Sequence, residues 1–243
     1  MSGSPITISV VSHGQIELVN QLLDDVAVLC VPGLTVVLTQ NIPESGPAIP
    51  ARWAHRLEVI RNEQPKGFGA NHNAAFRRCT APSFCVVNPD IRLAQDPFPA
   101  LTAALEGETV AIAGPMVRDP SGVPEDSARK FPTAASLLRK LFATPTGPEY
   151  PVDNGPVAVD WVGGMFMAFR ASAFKAVGGF DERYFLYYED VDICRRLRGA
   201  GYSIIYDPTV SVVHDARRAS RRNPRLMAIH ASSALRYLLR RYD

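Results

Sequence analysis

Glu189, Asp190 and Asp192 stand within four positions of one another, directly after Tyr187 and Tyr188. Acids at a helix start are favoured by the helix dipole, by ~0.3–1 kcal/mol each, and that is the plain structural reading. Three acids exceed what capping needs, and their mutual repulsion raises at least one pKa, which suits a general base. Composition alone leaves both readings open. In Val86-Val87-Asn88-Pro89-Asp90 an apolar strand ends in a carboxylate fixed by a proline. Asp90 would there meet a hard divalent cation bridging two phosphate oxygens, although Asn-Pro-Asp is also ordinary turn chemistry. His214 closes the apolar run Val210–Val213, as a structural strand-end residue or as a metal ligand. The neighbouring Arg217 and Arg218 could hold phosphate oxygens. In the stretch Asn62–Asn71, Gly67 and Gly69 allow close backbone approach ahead of a helix, as in anion-binding loops. The stretch is neither a P-loop nor a G-x-G-x-x-G motif, and a plain strand-to-helix turn accounts for it too.

The surrounding pattern says how these residues are positioned. Ile6–Ser12, Leu34–Thr39, Leu57–Arg61 and Phe84–Asn88 read as strands. Gln15–Leu29 and Gly69–Arg78 read as helices between them. Strands separated by helices predict an α/β, Rossmann-like, mostly parallel sheet, with ligands at the carboxyl ends of the strands. The polar residues at those ends are Ser12, His13, Gln40, Asn41, Asn62, Asn88 and Asp90. Asp119–Pro156 is rich in Pro, Gly and charge, with a helical island at Ala134–Phe142, and its length marks a lid or binding loop. Strand-like segments return at Val157–Val162 and Met165–Arg170. They are followed by helices at Ala171–Val177 and Glu189–Arg198, strands at Ser203–Tyr206 and Val210–His214, and a last helix at Pro224–Arg240.

A hydrophobic fraction of 47% and a charged fraction of 21% exclude a disordered chain. No apolar run reaches the ~18 residues of a membrane span, and no basic residue precedes the first apolar stretch, so no signal peptide is expected. Cys30, Cys79, Cys85 and Cys194 form no C-x-x-C pair, which argues for reduced thiols over a zinc site. The net charge of +2 is unevenly spread. From Arg217 onward there are eight arginines and one acid, a net +7, which leaves −5 on the rest. A basic tail on an acidic body predicts an anionic partner, with the inner face of a plasma membrane the expected one. Nucleic acid is not expected, because the tail lacks the interleaved aromatics that stack bases.

Taken in order, these stretches resemble glycosyltransferase family 2, the inverting enzymes of the GT-A fold, and within it the bacterial rhamnosyltransferase-like members. The resemblance is carried by S-V-V-S-H-G at 9–14, N-x-x-x-x-G-F-G-A-N at 62–71 and V-N-P-D at 87–90. It continues in W-V-G-G-M-F-M-A-F-R at 161–170 and G-G-F-D-E-R-Y-F-L-Y-Y-E-D-V-D-I-C-R-R at 178–196. It implies one GT-A domain over residues 1–243, with 1–118 as the nucleotide-sugar half and 119–243 as the acceptor and base half. It implies Asp190 as the base beside Glu189, and Asp90 with His214 as ligands of Mg²⁺ or Mn²⁺. It places Ser12, His13, Asn41, Asn62, Gly67, Gly69, Asn71, Asn88 and Gly164 around the donor. Asn88 stands where the family's D-x-D-type motif has its first acid. The expected reaction moves a sugar, rhamnose among the candidates, from a nucleoside-diphosphate donor to a saccharide or lipid-linked saccharide. The expected setting is cytoplasmic, in surface polysaccharide synthesis. The competing readings are a nucleotidyltransferase and a non-catalytic relative. Ser12–Gly14 lacks the basic residues that grip a triphosphate, and the intact Asp90 and Glu189-Asp190 oppose decay.

Overall fold

Ile6–Ser12 forms strand β1, an apolar and β-branched run buried on both faces. The computed structural model describes residues 4–29, 31–49, 56–142, 149–150, 155–215 and 223–242. Cys30 and the arginines at 217, 218, 221 and 222 lie outside the described residues. Helix α1 (Ile16–Leu29) follows β1 and buries Leu18, Val19, Leu22, Leu23 and Val26, the face that its periodicity marks. Strands β2 (Leu34–Gln40) and β3 (Leu57–Arg61) extend the sheet in parallel on one side of β1, and β4 (Ser83–Val87) pairs in parallel on the other. Helix α2 (Phe68–Phe76) bridges β3 to β4.

Beyond β4 the sheet is mixed. Its order is β3-β2-β1-β4-β10-β6-β11-β5. Strand β10 (Phe166–Arg170) lies antiparallel between β4 and β6 (Val110–Arg118), while β11 (Ser203–His214) pairs with β6 in parallel. The short β5 (Ile91–Arg92) and β8 (Val157–Val159) pair with β11 in the antiparallel sense. A separate ribbon joins β7 (Ala128–Arg129) to β9 (Trp161–Val162). Helices α1 and α3 (Phe98–Leu105) cover one face, with Ile6, Ile8, Val10, Cys85, Val87 and Phe166 beneath them. The other face carries α2, α5 (Ala171–Ala176) and α6 (Glu189–Gly199) over Phe84, Val86, Met167 and Phe169. Each fully buried Phe contributes roughly 1.5–3 kcal/mol. Phe76, Phe84, Phe169, Phe174 and Phe180 meet ring to ring there.

Two features depart from the sequence reading. Strand β6 and helix α3 did not stand out in the sequence. Gly114 and Pro115 interrupt β6, and proline is disfavoured in a central strand. The ladder accommodates Pro115 because β11 shifts register between Asp207 and Ser211, directly after Asp207 pairs with Pro115. Ser203–Tyr206 and Val210–His214, expected as two strands, are the two parts of β11 on either side of this irregularity. Asp207 Oδ1 accepts from the Thr209 N–H and hydroxyl inside the bulge. Helix α7 (Pro224–Leu239) agrees with its expected bounds to within a residue. Leu226 and Ile229 are half-buried, whereas Leu235 and Leu238 are exposed. Ser233 and Tyr237 are the residues it buries.

Candidate active site

The antiparallel entry of β10 builds the site. Its first residue, Phe166, pairs with Val87, the last residue of β4. The Gly163-Gly164-Met165 segment that leads into β10 therefore arrives at the carboxyl edge of the sheet. The Asn88 N–H donates to the Met165 carbonyl at 2.9 Å. Pro89 and Asp90 then turn the chain into β5, whose Ile91 pairs with His214 at the end of β11. The Asp215 N–H donates to the Asp90 carbonyl at 2.9 Å. Strand pairing alone thus places Asp90 beside His214.

The two side chains face each other, with His214 Nε2 3.4 Å from Asp90 Oδ2. On the far side of the ring, His214 Nδ1 is 2.8 Å from Glu125 Oε2. Burial opposes charge on the imidazole, but the hydrogen bonds to Asp90 and Glu125 outweigh it, and the His214 pKa rises to about 9. Asp90 Oδ1 is buried without a hydrogen-bond partner. A buried carboxylate oxygen left open fits a divalent cation, and His214 can join it as a ligand once an arriving cation displaces the proton that the imidazole carries between Asp90 and Glu125. Among the described residues no cluster of three or more His, Cys, Asp or Glu is arranged as a protein-only cage.

Helix α6 begins at Glu189, after Tyr187 and Tyr188, which hold φ of 70° and 68°. Two successive non-glycine residues in the left-handed region store roughly 1–3 kcal/mol each, and such strain concentrates at functional sites. The turn separates the three acids. Asp190 lines the cavity, its Oδ2 accepting from the Gly164 N–H at 2.9 Å and its Oδ1 from the Val191 N–H at 2.8 Å. Glu189 is buried beneath it, with Oε2 unpartnered. Burial raises both pKa values, Glu189 well above its usual range. At Asp190 the two N–H groups and the charge of Arg129 work against the rise. Asp192 faces away, held by Arg196 Nε at 2.7 Å, Arg240 Nη1 at 2.5 Å and the Tyr242 hydroxyl at 2.8 Å.

These residues share a cavity of about 440 Å³ lined by Asn88, Gly164, Glu189, Asp190 and His214. Residues of the Asp119–Pro156 excursion form one wall: Asp126, Arg129, Pro132 and Leu137. Tyr187, Tyr188, Trp161 and His230 add an aromatic side. The other expected donor residues gather elsewhere, at the carboxyl ends of β1, β2 and β3. There Ser12 is fully buried and its Oγ caps α1 through the Gln15 N–H. The Asn62 amide donates to Asn41 Oδ1 at 2.9 Å and to Asn71 Oδ1 at 2.7 Å. Asn41 and Asn71 both donate to the Lys66 carbonyl. His13 remains exposed, 3.3 Å from the Asn41 amide. The two glycines have a packing reason: a Cβ at Gly67 would lie 2.7 Å from the Phe185 carbonyl, and one at Gly69 2.6 Å from Phe180 Cβ. Both approach the segment that leads into the strained turn. Glu125, Arg129 and His230 were absent from the sequence reading. The first two lie in a Pro-rich stretch without periodicity, and the third in a helix read for its leucines.

The mixed sheet, parallel through β3, β2, β1 and β4 and then crossed by the antiparallel β10, has the GT-A class of glycosyltransferase fold. The chain belongs to the glycosyltransferase-like family 2, whose model matches residues 9–230. It is 36% identical over 172 residues to the N-acetylglucosaminyl-diphospho-decaprenol L-rhamnosyltransferase of Mycobacterium tuberculosis, covering 65% of this chain and 55% of that one. It therefore spans little more than half the length of that relative. To the rhamnosyltransferase WbbL of Escherichia coli K12 it is 31% identical over 187 residues, covering 72% and 71%. In fold it is similar to the mannosyltransferase PcManGT from Pyrobaculum calidifontis, solved with GDP-Man and Mn²⁺. The TM-score is 0.67 at 19% identity, over 96% of this chain and 65% of that one. Staphylococcus aureus TarS gives 0.65 at 15% identity, over 98% and 40%.

Proposed function

We propose that the chain moves a sugar from a nucleoside-diphosphate sugar to a hydroxyl of a saccharide or lipid-linked saccharide, with inversion, in bacterial surface polysaccharide synthesis. The observation that carries this reading is the placement of Asp190, aimed by two backbone N–H groups into the cavity that His214, the partner of Asp90, also lines. The names of two relatives support rhamnose as the sugar, and one of them supports a lipid-diphosphate acceptor.

The acceptor oxygen attacks the anomeric carbon while the bond to the diphosphate oxygen breaks, and the leaving group keeps the electron pair. Asp190 takes the acceptor proton. Its raised pKa makes it a better base than a surface carboxylate, and Gly164 N–H fixes its direction. Burial raises Glu189 without the two N–H donors that hold Asp190 down, so Asp190 is the more readily ionised of the pair. Asp90 and His214, the latter after losing its proton, would hold Mg²⁺ or Mn²⁺, and such a cation would supply charge neutralisation for a departing diphosphate. Exposed His13 and the backbone around Asn41 and Lys66 form the edge for the nucleoside. Nucleotide-sugars and a lipid-linked acceptor would meet at the inner face of the plasma membrane, which makes that the working location.

The test is nucleoside diphosphate release from a panel of nucleotide-sugars. Release is expected to require Mn²⁺ or Mg²⁺ and to vanish in excess EDTA. Asp190→Asn is expected to lower kcat by at least 10²-fold with donor affinity nearly unchanged, the signature of an interaction made in the transition state. Full turnover by Asp190→Asn would remove it as the base, and full turnover in EDTA would remove the metal.

A further inference from the structure

Four of the exposed large hydrophobic residues fall on one helix: Met227, Leu235, Leu238 and Leu239 of α7, at 61%, 57%, 39% and 73% exposure. With Ala231, also exposed, they recur at three- and four-residue spacing along the side opposite Ser233 and Tyr237. Arg225, Arg236 and Arg241 are exposed around them. No acid occurs between Asn223 and Tyr242. The helix is firmly docked: Ser233 Oγ donates to the Leu186 carbonyl, and Arg240 reaches Asp181 and Asp192. Its apolar outer face therefore belongs to the folded protein.

The same helix walls the catalytic cavity through His230, which packs edge-on against Tyr187 and Tyr188. Across the cavity, α4 (Ala134–Phe142) contributes Leu137 and exposes Leu138 and Arg139. Two basic, amphipathic helices thus border the cavity that holds Asp190.

We propose that the outer face of α7, with α4 beside it, lies in the headgroup region of an anionic lipid bilayer. The apolar residues enter the acyl boundary and the arginines meet lipid phosphates, the arrangement of an interfacial helix. A second copy of the chain fits poorly, because a two-fold contact would set arginines against arginines with no acid between them. A nucleic acid would meet the arginines but give the leucines no home. This inference deepens the reading above: a cavity bordered by lipid-seated helices receives an acceptor sugar whose lipid tail stays in the membrane.

The experiment is co-sedimentation of the full chain with vesicles of phosphatidylcholine alone or with phosphatidylglycerol, alongside nucleoside diphosphate release in solution. The expected result is binding to the anionic vesicles only, weakened by salt. The Leu235→Gln/Leu239→Gln variant should bind at least tenfold more weakly, and Arg225→Gln/Arg236→Gln about fivefold more weakly per arginine. Donor turnover in solution should be unchanged in both, because these residues are outside the cavity. Failure of the wild type to bind anionic vesicles at low salt overturns the proposal while leaving the catalytic reading intact. So does undiminished binding by the leucine variant, or self-association that the leucine variant abolishes in place of vesicle binding. Vesicle binding without turnover would leave the surface standing and remove the catalytic reading.

Discussion

The Glu189 carboxyl is 5% exposed, has an oxygen without a partner, and holds its proton well above the usual carboxylate range because burial disfavours the charge. A carboxyl with a raised folded-state pKa gives full stability below its unfolded value of about 4.3 and loses it as pH rises toward the folded value. Glu189→Gln removes that loss. The variant is expected to match wild-type stability near pH 4 and to gain on it progressively with rising pH. Thermal unfolding from pH 4 to pH 8 reads the difference, and a gap that does not grow with pH would refute the assignment. The sequence showed that three acids compete at this helix start. It did not show which would be buried, which aimed and which paired. Those roles depend on Gly164, Arg129, Arg240 and Tyr242, which lie 26 to 61 residues away along the chain.

Elements with a strong local period were legible. β1, α1, β3 and α4 fall within a residue of their expected bounds, because a buried strand and an amphipathic helix each declare themselves within a few residues. Strand β6 was not, because Gly114-Pro115 breaks the local signal and the compensation sits in β11. At the site, Asp90, His214, Asp190 and Gly164 were legible as residues worth naming. Glu125 had no signal, since its partner is 89 residues away. The loop at 62–71 could be read as an anion cradle or as a plain strand-to-helix turn, and its glycines serve a packing need. Gly69→Ala sets a Cβ 2.6 Å from Phe180 Cβ, a clash between a helix and the segment feeding the strained turn. Overpacking of this kind costs about 1–3 kcal/mol. The expected result is a lowered urea midpoint together with reduced turnover, as Tyr187 and Tyr188 are displaced. An unchanged midpoint would mean that the two segments can separate freely.

At the scale of the molecule, the C-terminal residues close the fold. Arg240 bridges Asp181 and Asp192, and Tyr242 donates to Asp192, which is 0% exposed. Arg196 still holds Asp192 when Arg240 is removed, so Arg240→Ala is expected to cost less than the ~3–5 kcal/mol of a fully broken buried pair. A loss of about 1–3 kcal/mol in denaturant unfolding is anticipated, with Asp190 chemistry preserved; no loss at all would make the clamp ornamental. The central place of β10 reaches further still. Its neighbours β4 and β6 end at Val87 and Arg118, while β10 ends at Arg170. A ribosome adding roughly 5–20 residues per second makes β6 some seconds before the strand that must sit between it and β4. During that interval the nascent chain carries two open sheet edges whose native partner has not yet been made. Its vulnerable moment therefore falls in synthesis, before the catalytic edge has been assembled, and premature pairing of β4 with β6 is the error that the growing chain must avoid.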